Sequence, residues 1–170
     1  MKPLVFNSTP LIYLSKAGLS GIIENLQEEK LTSPQVKTEV VDKGKQKGVP
    51  DAIALQKLFE KDVFILCTPK DKLFLSRLSK TQGLHAADAE VLALAKEHEG
   101  VAVIDDEVAR KTAKIYRISY VGTPYVLARA VFAGILSKER AKSAVKDMVS
   151  LGWRCNVETF ATIMESLDKL

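Results

Sequence analysis

One unit recurs along this chain and limits what it can fold into. A short apolar run ends in a hydroxyl residue followed by proline, and an amphipathic segment follows. The unit is present as PLVFNSTPLIYLSKAG from Pro3, as KLTSPQVKTEVV from Lys30 and as ISYVGTPYVLARAVFAG from Ile118. A Ser or Thr side chain there caps a helix by accepting from a free backbone N–H. Proline fits the first helical position, where its missing N–H costs nothing. Each unit therefore reads as strand, sharp turn, helix. A fourth unit, VAVIDDEVARKTAKIY, uses acids instead: Val101 to Ile104 form a short buried strand, Asp105 and Asp106 stand at its end, and Asp106 is a fair helix cap. Gly100 reads as the residue that closes the helix before it. A fifth strand is expected over Val63 to Cys67.

Short apolar strands alternating with helices imply a buried parallel sheet with helices on both faces. The expectation is an α/β fold, a three-layer α/β/α sandwich around a central parallel sheet of about five strands. Helices are expected over 9–18, 20–28, 34–47, 51–61, 70–80, 86–99, 106–116, 123–134, 138–150 and 156–168. The tail after Gly134 has no strand. It reads as a helical hairpin, SKERAKSAVKDMVSLG and NVETFATIMESL, joined at Gly152 and packed on the same core. At 170 residues the chain is expected to be a single domain, with a core over about 1–134 and a helical extension over about 135–170. With 46% hydrophobic residues it can bury a core without disulfides or metal staples. No apolar run approaches the roughly 18–20 residues of a membrane span. Polar residues close to Met1 give no secretory leader pattern.

The net charge of +4, carried mostly by dispersed lysines, permits nucleic-acid binding without demanding it. The two cysteines, Cys67 and Cys155, lie far apart, and no C-x-x-C occurs. Neither a zinc ribbon nor a redox pair is available. Cys67, in VFILC, reads as a buried inert thiol, and this thiol usage suits a reducing, cytoplasmic setting. His85 and His98 show no ligand spacing, so any metal here must be held by oxygen.

In parallel sheets ligands sit at the carboxyl ends of the strands. Those ends carry Asn7 with Ser8 and Thr9, then Ser33, Thr68, Asp105 with Asp106, and Gly122 with Thr123. Two helix-borne acids lie near them, Glu39 and Asp88, each beside the apolar stripe of its own helix. Each has a bland reading. Glu39 can pair with Lys43 one turn on, and Asp88 can serve the positive end of its helix. Taken together, Glu39, Asp88 and Asp105 come from three distant segments toward one sheet edge. Three carboxylates in one cleft repel unless a cation joins them. Oxygen ligands select Mg²⁺ or Mn²⁺, which make water nucleophilic and clamp a phosphodiester.

Other residues stay open to two readings. Asp106 is a cap or a ligand. Arg110, Lys111 and Lys114 grip a phosphate backbone or form a solvated face, and so do Lys43, Lys45 and Lys47. Tyr13, Tyr116, Tyr120 and Tyr125 stack on bases or pack half-buried. Glu90 points away from Asp88 and reads as solvent-exposed, while Trp153 reads as an anchor for the tail hairpin.

The NST turn before PLIYL, the acid of SPQVKTEVV, the helix ADAEVLALA and the turn VIDDEVAR occur in an order and spacing that resembles the PIN-domain family. GTPYVLARAVFAGILS and the tail through LGWRCN resemble an uncharacterised prokaryotic subgroup of it, so the likeness spans essentially the whole chain. It implies a small α/β/α domain and a metal-dependent endoribonuclease, as in the toxins of prokaryotic toxin–antitoxin pairs. It places the family's four acidic positions on Asn7, Glu39, Asp88 and Asp105, and its hydroxyl residue on Ser8 or Thr9. Asn7 departs from the usual Asp. It keeps an oxygen but loses a charge, which weakens a metal site. The helix also resembles PIN endonucleases that mature small-subunit ribosomal RNA, but those carry a zinc ribbon that this chain cannot build.

Two functions follow. The first is an Mg²⁺- or Mn²⁺-dependent ribonuclease. Glu39, Asp88, Asp105 and Asp106 would hold metal with help from Asn7. Ser8, Thr9, Arg110, Lys111 and Thr123 would touch RNA. An antitoxin partner and a homodimer are implied by the resemblance. The second is a catalytically weak or inactive PIN-fold module that binds nucleic acid, favoured by Asn7. A nucleotide-binding or phosphatase-like protein is disfavoured, because no Gly-rich phosphate loop occurs.

Overall fold

The structure, a computed structural model, describes residues 1–170. Five strands form one sheet: β1 (Leu4–Phe6), β2 (Lys30–Thr32), β3 (Ile65–Leu66), β4 (Val101–Val103) and β5 (Tyr120–Val121). Every neighbouring pair is parallel, and the order across the sheet is β3-β2-β1-β4-β5. The register sets Phe6 of β1 beside Val103 of β4. The chain builds outward from β1 on one side, then crosses over to begin again at β4. The switch point between β1 and β4 is where a doubly wound sheet opens its crevice. The residues just beyond those two strands are Asn7 and, after Ile104, Asp105.

Helices flank the sheet: α1 (Ser8–Lys16), α2 (Ser20–Asn25), α3 (Pro34–Lys37), α4 (Lys43–Gln46), α5 (Pro50–Glu60), α6 (Lys72–Ser79), α7 (Ala86–Glu97), α8 (Glu107–Ile115), α9 (Thr123–Phe132), α10 (Lys138–Ser150) and α11 (Val157–Asp168). Proline occupies the first turn of α3 and α9, and Ser33 caps α3 by accepting from Val36 N at 3.2 Å. The repeated strand, turn and helix of the sequence is thus present in space, but a hydroxyl caps only α3: Asn7 caps α1, and Gly122 stands at the start of α9 with no side-chain cap. Phe6, Leu11, Leu14, Leu92, Leu94, Ile104 and Leu127 are fully buried. Ala141, Val145, Met148, Ile163 and Leu167 of α10 and α11 belong to the same apolar core.

Several details differ from the sequence reading. The expected helix over 34–47 is interrupted by a π-turn, Thr38–Asp42, between α3 and α4. Such a bulge shifts the helical face by one residue and often marks a functional position. Glu39 lies within it. β3 is shorter than expected and is not buried: Ile65 and Leu66 are 46% and 43% exposed, because β3 is the sheet's edge. Its neighbour Cys67 is accordingly half-buried, not enclosed. α2 ends at Asn25, where Leu26 turns extended. The residue that closes α7 in the left-handed region is Glu99, at φ 49°, not Gly100. Gly100 is required for a different reason, since a Cβ there would lie 2.9 Å from the carbonyl oxygen of Pro3.

Candidate functional site at the strand ends

The switch point gathers the polar residues that the sequence singled out, in two groups. The first is a chain of hydrogen bonds. Asn7 ends β1 and caps α1: its Oδ1 accepts from Ser8 N at 2.8 Å. Its Nδ2 donates to Asp88 Oδ1 at 2.5 Å. Asp88 sits in the first turn of α7, only 4% exposed, and its Oδ2 accepts from His85 N at 3.0 Å. The His85 ring lies against the same oxygen, Nδ1 to Oδ2, at 3.3 Å. Asp88 therefore does serve its own helix N-terminus, the bland reading, while also holding Asn7. From the other side, Ser8 Oγ donates to Glu39 Oε2 at 2.5 Å. Glu39 forms no ion pair with Lys43. It lines an open cavity together with Lys16, Lys43 and Lys47.

The second group surrounds Asp105. Its Oδ1 accepts from Thr123 N at 2.9 Å and lies 3.5 Å from the Arg110 guanidinium. Its Oδ2 accepts from Thr123 Oγ at 2.6 Å and from Trp153 Nε1 at 3.0 Å. Both carboxylate oxygens are thus doubly occupied. Arg110 is folded inward, its Nε donating to the carbonyl of Ile104 at 3.1 Å. Gly122 leaves room for this, since a Cβ there would collide with the Arg110 guanidinium. Asp106 caps α8 by accepting from Ala109 N at 2.9 Å. Burial pushes the Cys155 thiol up from its ordinary pKa, and the nearby charge of Asp105 pushes the same way.

The remaining residues fall around these groups. Thr9 lines a cavity beside Asp105 and Asp106. Lys111 stands on the solvated face of α8, paired with Glu107 at 2.6 Å. Thr123 is completely buried, its amide and hydroxyl both turned to Asp105, so it has no surface for an RNA to touch. Glu90 is not solvent-exposed as its spacing from Asp88 suggested. It is half-buried, and its Oε2 is enclosed without a partner.

Arg154 is missing from the sequence reading, and Tyr13 and Trp153, read there as a stacking or packing residue and as an anchor of the tail, also line the cavity at Asp105. Trp153 is an anchor as expected, but its anchoring point is Asp105 itself, 48 positions earlier. No local pattern announces a contact of that span.

These donors decide how well a divalent ion fits. The oxygen that Asn7 could offer is spent on Ser8 N, and its amide hydrogens face Asp88. The oxygens of Asp105 are filled by protein donors. Nowhere do three carboxylate, histidine or cysteine side chains gather as a metal-binding group. Glu39, Asp88 and Asp105 therefore do not gather on one ion: the Asn7 amide lies among them, and hydrogen bonds balance the acids. As arranged, the donor set does not fit a bound metal.

A family model described as a PIN domain matches residues 3–169, and the chain belongs to that family. PIN domains are nuclease-type folds that handle nucleic acid and generally depend on divalent metal. No curated protein matches the sequence. No helix is long and apolar enough to cross a membrane.

Proposed function

We propose that this PIN-domain protein binds single-stranded RNA across the strand ends, with hydrolytic power weak or absent. The observation that carries the reading is the set of cations without acid partners that borders the cavities at that edge. Lys16, Lys43 and Lys47 border the cavity at Glu39, and Arg154 borders the cavities at Asp105 and Asp106. None of the four is in an ion pair, as is true of most lysines and arginines in the chain, and what sets them apart is that they border these cavities. Cations without acid partners at a crevice are what a polyanion exploits, through released counterions. Ser8 and Thr123 then position Glu39 and Asp105, Thr9 and Arg110 border the crevice, and Lys111 extends the basic face of α8.

A second reading is a metal-dependent endoribonuclease, toxin-like, with a cognate antitoxin and a homodimer. Asp88 favours it. This carboxylate is almost fully buried, and no lysine or arginine neutralises it. The hydrogen bonds from Asn7 and His85 N offset part of the cost of burying that group, and a cation would offset more. That reading requires Glu39, Asp88 and Asp105, with Asn7 and Asp106, to leave their present hydrogen bonds before they could hold Mg²⁺ or Mn²⁺, the ions that would supply an activated water.

One experiment separates the two. A fluorescein-labelled single-stranded oligoribonucleotide is titrated with protein in EDTA and in Mn²⁺, by anisotropy and then by gel. The first reading expects binding in EDTA, a linear fall of log affinity with log salt, and intact RNA in both buffers. Cleavage that needs Mn²⁺ and is lost in Asp105→Asn would establish the second.

A further inference from the structure

Between α1 and the turn joining α10 to α11 lies a cavity of about 250 Å³, walled by Thr9 and Tyr13 on one side and by Gly152, Trp153 and Arg154 on the other, with Asp105 and Asp106 at its floor. Three of its polar groups have no protein partner: the hydroxyls of Thr9 and Tyr13, which make no side-chain hydrogen bond, and the Arg154 guanidinium, which makes neither a hydrogen bond nor an ion pair. All three can donate, and all three converge on one space.

The turn that carries Arg154 is fixed on both flanks. Gly152 adopts φ +98°, a left-handed geometry that side chains avoid, and a Cβ there would meet Tyr13 Oη at 3.6 Å. Trp153 follows, 6% exposed, its ring in the apolar core and its Nε1–H on Asp105. Arg154 must then project on the open side of the turn. The floor acids do not cancel it: Asp105 is already surrounded by Thr123, Arg110 and Trp153, and Asp106 is spent in part on the amino end of α8.

We infer that Arg154, set in place by Trp153, grips a backbone phosphate of the bound strand in this cavity, with the hydroxyls of Thr9 and Tyr13 as additional donors. The C-terminal hairpin is then a working part of the crevice. The inference deepens the RNA-binding reading and rests on it for the identity of the strand. A planar guanidinium flanked by hydroxyl donors is well suited to a phosphate. Trp153 is a positioning residue: it touches Asp105 and orients its neighbour.

Trp153 is the chain's single tryptophan, so one indole N–H resonance reports on the cavity. ¹⁵N-labelled protein is titrated with a single-stranded oligoribonucleotide and separately with inorganic pyrophosphate, while anisotropy follows RNA binding. The expected result is that the indole resonance moves with both ligands. Arg154→Ala should bind RNA about tenfold more weakly, with a salt slope shallower by about 0.7. Arg154→Lys should recover part of the affinity and the whole slope. If RNA binds but the indole stays still and Arg154→Ala binds like the parent, the inference is overturned while RNA binding stands. If RNA does not bind but pyrophosphate moves the indole in the parent and not in Arg154→Ala, the phosphate site stands and the RNA reading falls. If neither ligand moves the resonance, the phosphate site is overturned.

Discussion

The side-chain amide of Asn7 donates to Asp88 at 2.5 Å, tying the end of β1 to the first turn of α7 across 81 residues. The amide is oriented at its other end as well, because its oxygen caps Ser8 N. An acid in this place cannot make the same bond. Asn7→Asp would set two carboxylates against each other in a nearly solvent-free position, where one must take up a proton or move. We expect Asn7→Asp to lose about 1–3 kcal/mol in EDTA, from the lost donor and the like-charge contact. Millimolar Mn²⁺ should return much of that loss, while the parent's melting temperature hardly responds. Paired thermal melts in EDTA and Mn²⁺ check this. A variant as stable as the parent in EDTA would mean the amide is not balancing Asp88.

Asp105 offers a second test. Thr123 gives it two hydrogen bonds, one from the amide and one from the hydroxyl at 2.6 Å. Thr123→Val preserves shape and the backbone bond but removes the hydroxyl donor. A hydrogen bond to a buried charged group is worth about 1.5–3 kcal/mol, so the urea midpoint should fall accordingly at unchanged m-value. Thr123→Ser should retain most of the stability. An unshifted Thr123→Val midpoint would show that Trp153 and Arg110 suffice to hold the acid.

Much of this architecture was legible because it is local. A hydroxyl-proline turn between an apolar run and an amphipathic segment is written within a dozen residues, so the strands, most helices and the residues at strand ends followed from the sequence. What was hidden depends on distant partners. The exposure of Ile65 and Leu66 follows from the position of β3 at the edge, which the apolar run VFILC does not encode. The π-turn at Thr38–Asp42 carries no obvious composition signal. The place of Gly100 after a helix suggests a conformational role, whereas the glycine is there to let Pro3 approach. The candidate acids were found, but not the donors that occupy them. Ser8 to Glu39 and Trp153 to Asp105 join segments 31 and 48 residues apart. That is why a metal centre was the natural expectation: carboxylates are visible in a sequence, and the hydrogen bonds that balance them are not.

The helix after the π-turn packs tightly on α5 at Gly44. A Cβ at Gly44 would lie 2.7 Å from the Cβ of Ala52, a contact that no rotamer change relieves. In an exposed helix Gly→Ala gains about 1 kcal/mol. Overpacking of this kind costs about 1–3 kcal/mol, so the clash should win or at least cancel the gain. Gly44→Ala is expected to be neutral to about 2 kcal/mol less stable. The double variant with Ala52→Gly should recover the packing part. Chemical denaturation of the set decides it, and a clearly stabilised Gly44→Ala would show that α4 and α5 can separate freely.

Cys155 reads the charge of Asp105. Its thiol is pushed up first by burial and then by that carboxylate. Cys67 is also pushed up first by burial, with the charge of Glu29 next, and Asp105 is not among its causes. The thiolate is the species that alkylates, so at pH 8 both should react more slowly with iodoacetamide than a free cysteine does. Removing a negative neighbour favours the thiolate, so Asp105→Asn should shift the Cys155 alkylation profile toward lower pH. Cys67 should keep its profile and serve as the internal control. The linkage to stability runs the same way. A thiol whose folded pKa is raised stays protonated while the unfolded chain ionises, so Cys155 should weaken the fold as pH climbs above the ordinary thiol value. Peptide-resolved mass spectrometry across pH 7 to 10 measures both profiles. If Cys155 and Cys67 shift together in Asp105→Asn, the variant has loosened the whole fold, and the charge is not what holds the Cys155 thiol.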